Sequence, residues 1–190
     1  MGILFDNTLC WRYHVDCISK RIIFLLRMLW TTTKHFNDKL RLQLVKSFIL
    51  PHLLYGDIVI FGMQNQYFQD LQMVFNSCIR YVMRLRKYDH ISQYANLICG
   101  CSLYDLYKFR VCLSIFKFLK YKQPSYIVSK MELLQSKRLQ MIKPANNVTT
   151  LMNSSFFVKG ISLWNSLSPI DLRILGTTAS FRKKYFERFH

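Results

Sequence analysis

The sequence predicts a mainly α protein, a helical bundle with a short N-terminal strand and a small C-terminal helical segment. Three observations carry this. Leu71, Val74, Phe75, Cys78, Ile79, Val82 and Met83 recur at i, i+3, i+4 and i+7, the spacing that lines one face of a helix. Ile18, Ile22, Leu25, Leu26 and Leu29 cluster in the same way nearer the start. The stretch Leu103–Tyr121 is apolar nearly all round, as expected of a helix central to a bundle.

Taken in order, residues 2–6 (Gly-Ile-Leu-Phe-Asp) read as a short strand and Asn7-Thr8 as a turn, so residues 1–13 form a strand-and-turn segment. A helix is expected from about His14 to Lys34, opening a bundle that spans residues 14–134. Asn37-Asp38 caps a second helix through Leu40, Leu44, Val45 and Phe48, which Pro51 ends or kinks. Residues 53–61 are apolar and fit either a continued helix or an extended segment. After the 71–83 helix come a loop at Asp89-His90, a short helix near 93–98 and a turn at Gly100. Pro124-Ser125 stops the 103–121 helix. Residues 135–155, rich in Ser, Lys, Asn and Thr, read as a flexible loop. The final segment, 156–190, is dense in aromatics. Its last helix is capped by Thr178 or Ser180, with Phe181, Tyr185 and Phe189 inward and Arg182, Lys183, Lys184 and Arg188 outward.

Among 190 residues there are 27 Lys and Arg against 10 Asp and Glu, a net charge of +17. Hydrophobic residues make up 51% and charged residues 19%, the latter below the roughly 25% of ordinary globular chains. The imbalance is therefore mainly a shortage of carboxylates. That disfavours catalysis by paired carboxylates and calcium cages, and it favours polyanionic partners. Tyr55-Gly56-Asp57-Ile58 carries one Asp where a two-metal polymerase motif needs two, so Asp57 reads as structural. The six Gly are scattered and build no phosphate loop. The six Cys contain no C-x-x-C, and the His residues have no metal-ligand spacing; Cys99-Gly100-Cys101 reads as a turn with two small apolar thiols. No catalytic residue, metal site or cofactor is assigned to this chain.

A basic region followed by an apolar run, the mark of a secretory signal, is missing from the opening residues, so an intracellular location, nuclear or cytoplasmic, is expected. The acceptor-like triplets at Asn147 and Asn153 are then chance matches. Pro51, His52 and Asp57 interrupt the longest apolar stretch and Arg27 breaks the run 22–30, so no membrane span is expected.

Two rows of cations are the positive signal. Lys20, Arg27 and Lys34 fall seven apart, opposite the apolar face of the first helix, and drift only about 20° per heptad. Arg80, Arg84 and Lys87 follow at i, i+4 and i+7 beside the apolar stripe of the 71–83 helix. A single lysine row is commonly just a solvated helix face. Two rows with few carboxylates to neutralise them point to phosphate-backbone contact, independent of base sequence and sensitive to salt. Arg86, Lys87, Tyr88 and His90 add a stretch where a ring could stack on a base. The other reading is a helical interaction module, or an inert remnant with no function of its own.

The order of short motifs resembles one family. Residues 2–14, ending in Trp11 and His14, resemble the opening of the region just after the palm in reverse transcriptases of jockey-like non-LTR (LINE) retrotransposons. Residues 49–55, with Pro51 and Tyr55, are similar to that family's aliphatic-Pro-x-Leu-x-Tyr segment. Leu71-Gln72 with Asn76, Ile79 and Arg80 resembles its Leu-Gln-x-x-x-Asn-x-x-x-Arg helix. Pro124-Ser125-Tyr126 is similar to its Pro-Ser-Tyr, and Leu163-Trp164-Asn165-Ser166-Leu167 with Pro169 and Leu172-Arg173 to its Leu-Trp-Asn-Ser-Leu-Pro-x-x-Leu-Arg signature. Ser180-Phe181-Arg182-Lys183 resembles the closing Ser-Phe-Lys helix. Phe61, Cys99-Gly100-Cys101 and Ile161-Ser162 depart from the family pattern.

The resemblance implies the thumb and C-terminal tail of an RNA-directed DNA polymerase, without fingers or palm, a thumb-like bundle gripping a template–primer duplex. Trp11, His14, Pro51, Tyr55, Gln72, Asn76, Leu163, Trp164 and Asn165 would then be signature positions with structural roles. The Mg²⁺ pair would belong to palm aspartates that have no counterpart here, so the chain alone is expected to be inactive. Its expected partners are an RNA–DNA hybrid or duplex and the missing palm and fingers; a copy truncated at its 5′ end would account for the missing part.

Overall fold

The structure, a computed structural model, describes residues 2–7, 10–134, 141–144, 149–153, 155–167 and 176–187. It is mainly helical, and among the described residues there is no strand beyond one isolated β-bridge. The strand expected at residues 2–6 is not formed. A strand needs a neighbour to take its backbone hydrogen bonds, and here the bonds described for this segment run to and from side chains. The Leu4 N–H donates to His14 Nδ1 at 3.4 Å, and the Cys10 N–H donates to the Asp6 carboxylate at 3.0 Å.

The chain divides into two compact units, one of residues 1–57 and 63–104, the other of residues 58–62 and 105–190. This division falls within the span 14–134 that the periodicity had joined in one bundle.

In the first unit, α1 (Arg12–Thr32) buries Val15, Ile18, Ile22 and Leu26 on the predicted face. It stops two residues short of the expected end, which leaves Lys34 in a turn. α2 (Asp38–Leu44) is capped as expected, Asn37 accepting from the Leu40 N–H at 2.9 Å. Of the expected inward face Val45 is buried and Leu44 half-buried, but the rest differs. Leu40 and Phe48 are 46% and 56% exposed, whereas Arg41 and Ile49 are buried. The backbone widens into a π turn at Val45–Ile49 before α3 (Leu50–Leu53). Pro51 has no N–H to continue the α ladder, and an inserted residue re-phases the side chains around that gap.

Residues 53–61 are helical turns and not an extended segment. Gly56, at φ 74°, separates α3 from α4 (Asp57–Ile60). The positive φ calls for glycine; a Cβ there would also stand 2.9 Å from Ile3 Cδ1, the end of a side chain that would have to shift. Asp57 is buried in the first turn of α4, the structural role expected of it.

α5 (Asn65–Met83) buries Leu71, Val74, Phe75, Cys78, Ile79 and Val82, as the stripe predicts, together with Tyr81. Near their starts α1 and α5 share a groove lined by Tyr13, Asp16, Tyr67 and Asp70. Near their ends Trp30 and Thr33 meet Tyr81. The two helices therefore run parallel. Instead of a short helix near 93–98, a single 3₁₀ turn spans Ser92–Tyr94, and Gly100 sits at φ 75° in the expected turn. The buried Cys78 thiol and the half-buried Cys99 thiol are pushed up to about 12 and about 11 by desolvation, which keeps them protonated and inert.

The second unit is built on α6 (Leu103–Tyr121), whose buried Tyr107, Phe109, Val111, Cys112, Ile115 and Phe116 spread over most of its circumference. α7 (Ser125–Val128) follows, with Pro124 before its first turn. The described part of the expected flexible loop is structured. Ile142 bridges Leu133, and Leu134 N–H donates to Met141 O at 2.9 Å. α8 (Thr150–Asn153) then gives one turn. α9 (Phe156–Ser166) is capped by Ser155 and packs closely on α6 at Gly160, where a Cβ would meet Ile115 and Val111 at 3.3 Å. α10 (Thr178–Phe186) is capped by Thr177, one residue before the expected position, through its hydroxyl and the Ser180 N–H. Phe181 and Tyr185 point inward as predicted; Phe181 stacks near Trp164, Phe116 and Phe109. Pro169, Leu172, Arg173, Arg188 and Phe189 lie outside the described residues, as do Asn147 and Ser154.

Candidate nucleic-acid interface

The loop between α1 and α2 carries Lys34, and what fixes it is a residue that sequence reasoning passed over. Arg41 is 2% exposed. Its Nη1 donates to Tyr81 O at 3.0 Å, Nη2 to Thr33 O at 2.9 Å and Nε to Phe36 O at 3.3 Å. The guanidinium also lies 5.6 Å from the Trp30 ring and 5.1 Å from the Tyr81 ring. A planar fork with five N–H donors can gather several carbonyls at once, as a lysine cannot. Thr33 and Tyr81 hydroxyls, 2.6 Å apart, close the same cluster. The loop's carbonyls are thus bound inward while Lys34 and His35 are exposed.

Arg84 holds the loop from its other side. Its Nη2 donates to Phe36 O at 2.5 Å, and its Nε lies 4.0 Å from the Asp38 carboxylate. This contact follows from the way α5 ends. Arg84 adopts the left-handed conformation at φ 55°, and the Arg84 and Leu85 N–H groups both donate to Arg80 O. The row Arg80, Arg84, Lys87 therefore does not continue along one helix, since α5 stops at Met83 and Lys87 lies in the loop beyond. Nothing at the sequence level marks this stop, because an arginine fills the position where glycine is usual.

The six predicted cations are consequently unequal. Arg27 and Lys34 are exposed with no carboxylate partner among the described residues, and Lys87 is exposed with its Nζ 5.5 Å from the Tyr88 ring. Lys20 is exposed but paired with Asp16 at 2.7 Å, a bond that raises the ammonium above its ordinary pKa. Arg84 is committed to the loop and to Asp38. Arg80 is half-buried, with its Nε buried and without a hydrogen-bond partner. Lys34 and Arg84 are brought to one loop, and Lys20 and Arg27 lie on the exposed side of α1. That side also presents Tyr13 at 69%, Phe24 at 63% and Met28 at 50% exposure, an apolar component hidden from a reading based on charge alone.

The nine positions that carry the resemblance differ in burial and contacts. Trp11 is buried and starts α1 in the left-handed conformation. His14 is buried; desolvation lowers its pKa, and its Nε2 has no partner. Gln72 donates to Asn76 at 2.8 Å along α5. Trp164 is fully buried and Leu163 partly so, while the Asn165 amide clamps Ile142, accepting from its N–H at 3.0 Å and donating to its carbonyl at 2.7 Å. Pro51 and Tyr55 are exposed.

Among the described residues no helix is long and apolar enough to cross a membrane, and no three His, Cys, Asp or Glu side chains gather as a metal site. The chain matches no protein-family model, no curated protein and no solved structure.

Proposed function

We propose that this chain is a non-catalytic nucleic-acid-binding module, corresponding to the thumb and C-terminal part of a non-LTR retrotransposon RNA-directed DNA polymerase. It acts on the phosphate backbone of a template–primer duplex, inside the cell, in nucleus or cytoplasm. The observation that carries this reading is the net charge of +17, with exposed cations at Arg27, Lys34 and Lys87 that no carboxylate among the described residues neutralises. Lysine and arginine in contact with phosphates release condensed counterions, so affinity comes from charge and carries no base preference. The ordered motifs from Trp11 to Asn165 support the polymerase parentage. Any Mg²⁺ belongs to the parent's palm, outside this chain.

Fluorescence anisotropy with a labelled RNA–DNA hybrid of about 20 base pairs tests the reading. Binding should weaken steeply with salt, and an excess of heparin of matched charge should compete less well than unlabelled hybrid. Equal competition by heparin would favour a general polyanion-binding or remnant protein instead.

A further inference from the structure

Between the first halves of α1 and α5 lies a groove of about 620 Å³, a size that suits a small ligand or one unit of a polymer. Its lining is chemically mixed. Arg12, Tyr13, Asp16 and Ser19 come from α1, and Tyr67 and Asp70 from α5. Hydrogen-bonding capacity there is unspent. Ser19 Oγ is buried without a partner. Among the described residues Arg12 and Asp70 form no ion pair, with each other or with any other group. Asp16 is different, being tied to Lys20. Because α1 and α5 run parallel, both begin at the Arg12 end, and neither has an acidic residue in its first turn. This adds positive polarity to that end of the groove.

A ligand that satisfies these groups together needs an anionic part for Arg12, a flat ring for the two tyrosines and paired N–H donors for a carboxylate. A cationic side chain from a protein partner would suit Asp70 but meet Arg12 with like charge. Among the bases, guanine alone sets two N–H donors, N1–H and the exocyclic amine, side by side, where one carboxylate can accept both. We propose that this groove holds one guanine nucleotide of a single-stranded segment, with Asp70 receiving the base edge, Tyr13 and Tyr67 flanking the ring and Arg12 meeting the phosphate. This rests on the nucleic-acid reading above and adds to it a sequence preference that backbone contact cannot supply.

The test uses the full chain and three labelled DNA pentamers, TTGTT, TTATT and TTITT, where inosine lacks the exocyclic amine, with free GMP as a fourth probe. TTGTT is expected to bind about tenfold or more tightly than TTATT, with TTITT between them. In Asp70→Asn the gap should shrink to about twofold, and Arg12→Ala should weaken all three pentamers alike. Equal binding of TTGTT and TTATT overturns the proposal, as does a preference that survives Asp70→Asn or GMP binding as tightly as TTGTT. If Asp70→Asn fails to fold, the order of the three pentamers on the unaltered chain decides alone. Binding to the hybrid together with equal binding of TTGTT and TTATT removes this inference and leaves the backbone reading standing, whereas failure to bind hybrid and pentamers removes both.

Discussion

Replacing Arg41 should unfold the first unit more readily than any other single exposed or buried charge change in it. The side chain is 2% exposed and makes three well-formed bonds to the carbonyls of Tyr81, Thr33 and Phe36 at 2.9–3.3 Å. A hydrogen bond from a charged donor contributes about 1.5–3 kcal/mol, but removing one side of a buried network strands the partners, and measured losses run about 3–5 kcal/mol. Arg41→Ala should therefore cost about 4 kcal/mol, roughly a thousandfold in the folding equilibrium. For a unit of about 100 residues this corresponds to a fall in Tm of roughly 15 °C or more. Arg41→Lys keeps the charge and the stem but cannot reach three carbonyls, so about 2 kcal/mol should still be lost. Urea unfolding followed by circular dichroism gives both values. A cost under about 1 kcal/mol for Arg41→Ala, or a lysine variant equal to wild type, would refute the network's role.

Other consequences follow from single contacts. Burial lowers the pKa of His14, and desolvation with the nearby Arg21 lowers that of His52, so the unfolded chain binds more protons than the folded one below about pH 6.5. Stability should fall as pH drops from about 7.5 to 5, and His14→Gln should flatten that fall in urea titrations; a pH-independent midpoint contradicts this. Gly56→Ala should cost about 1–2 kcal/mol from its positive φ and the approach of Ile3, and adding Ile3→Ala should return only part of it. Full recovery would mean that the backbone is unstrained. Asn165→Ala should release Ile142, speeding exchange of its amide hydrogen by about tenfold; unchanged protection would remove the clamp from the account.

Helix existence was legible because apolar spacing records it directly, as in the stripe from Leu71 to Val82. Boundaries were less so. Around the ends of α1 at Thr32 and of α5 at Met83, carbonyls find partners in other elements: Arg41 of α2 binds Thr33 O and, forty residues away, Tyr81 O, and Arg84 binds Phe36 O across 48 residues. The inward face of this segment was only partly legible: Val45 is buried as expected, but the π turn at Val45–Ile49 brings Ile49 inward in place of Phe48, which a fixed 100° step cannot anticipate, and before that turn Arg41 is buried where Leu40 was expected. The N-terminal strand failed for a related reason: residues 2–6 have suitable side chains, but strand formation is decided by a neighbour. At the candidate interface, charge was readable and its availability was not. Whether a cation is free, as at Arg27, or engaged, as at Lys20 and Arg84, depends on neighbours such as Asp16 and Phe36.

The most direct measurement is the slope of log affinity against log salt for the RNA–DNA hybrid, compared between wild type and the charge-reversed Lys20→Glu, Arg27→Glu, Lys34→Glu variant. Because Lys20 shares its charge with Asp16, the slope should fall by between about two and three units, nearly one for each lost phosphate contact. A folded variant with an unchanged slope would place the nucleic acid elsewhere and contradict the account.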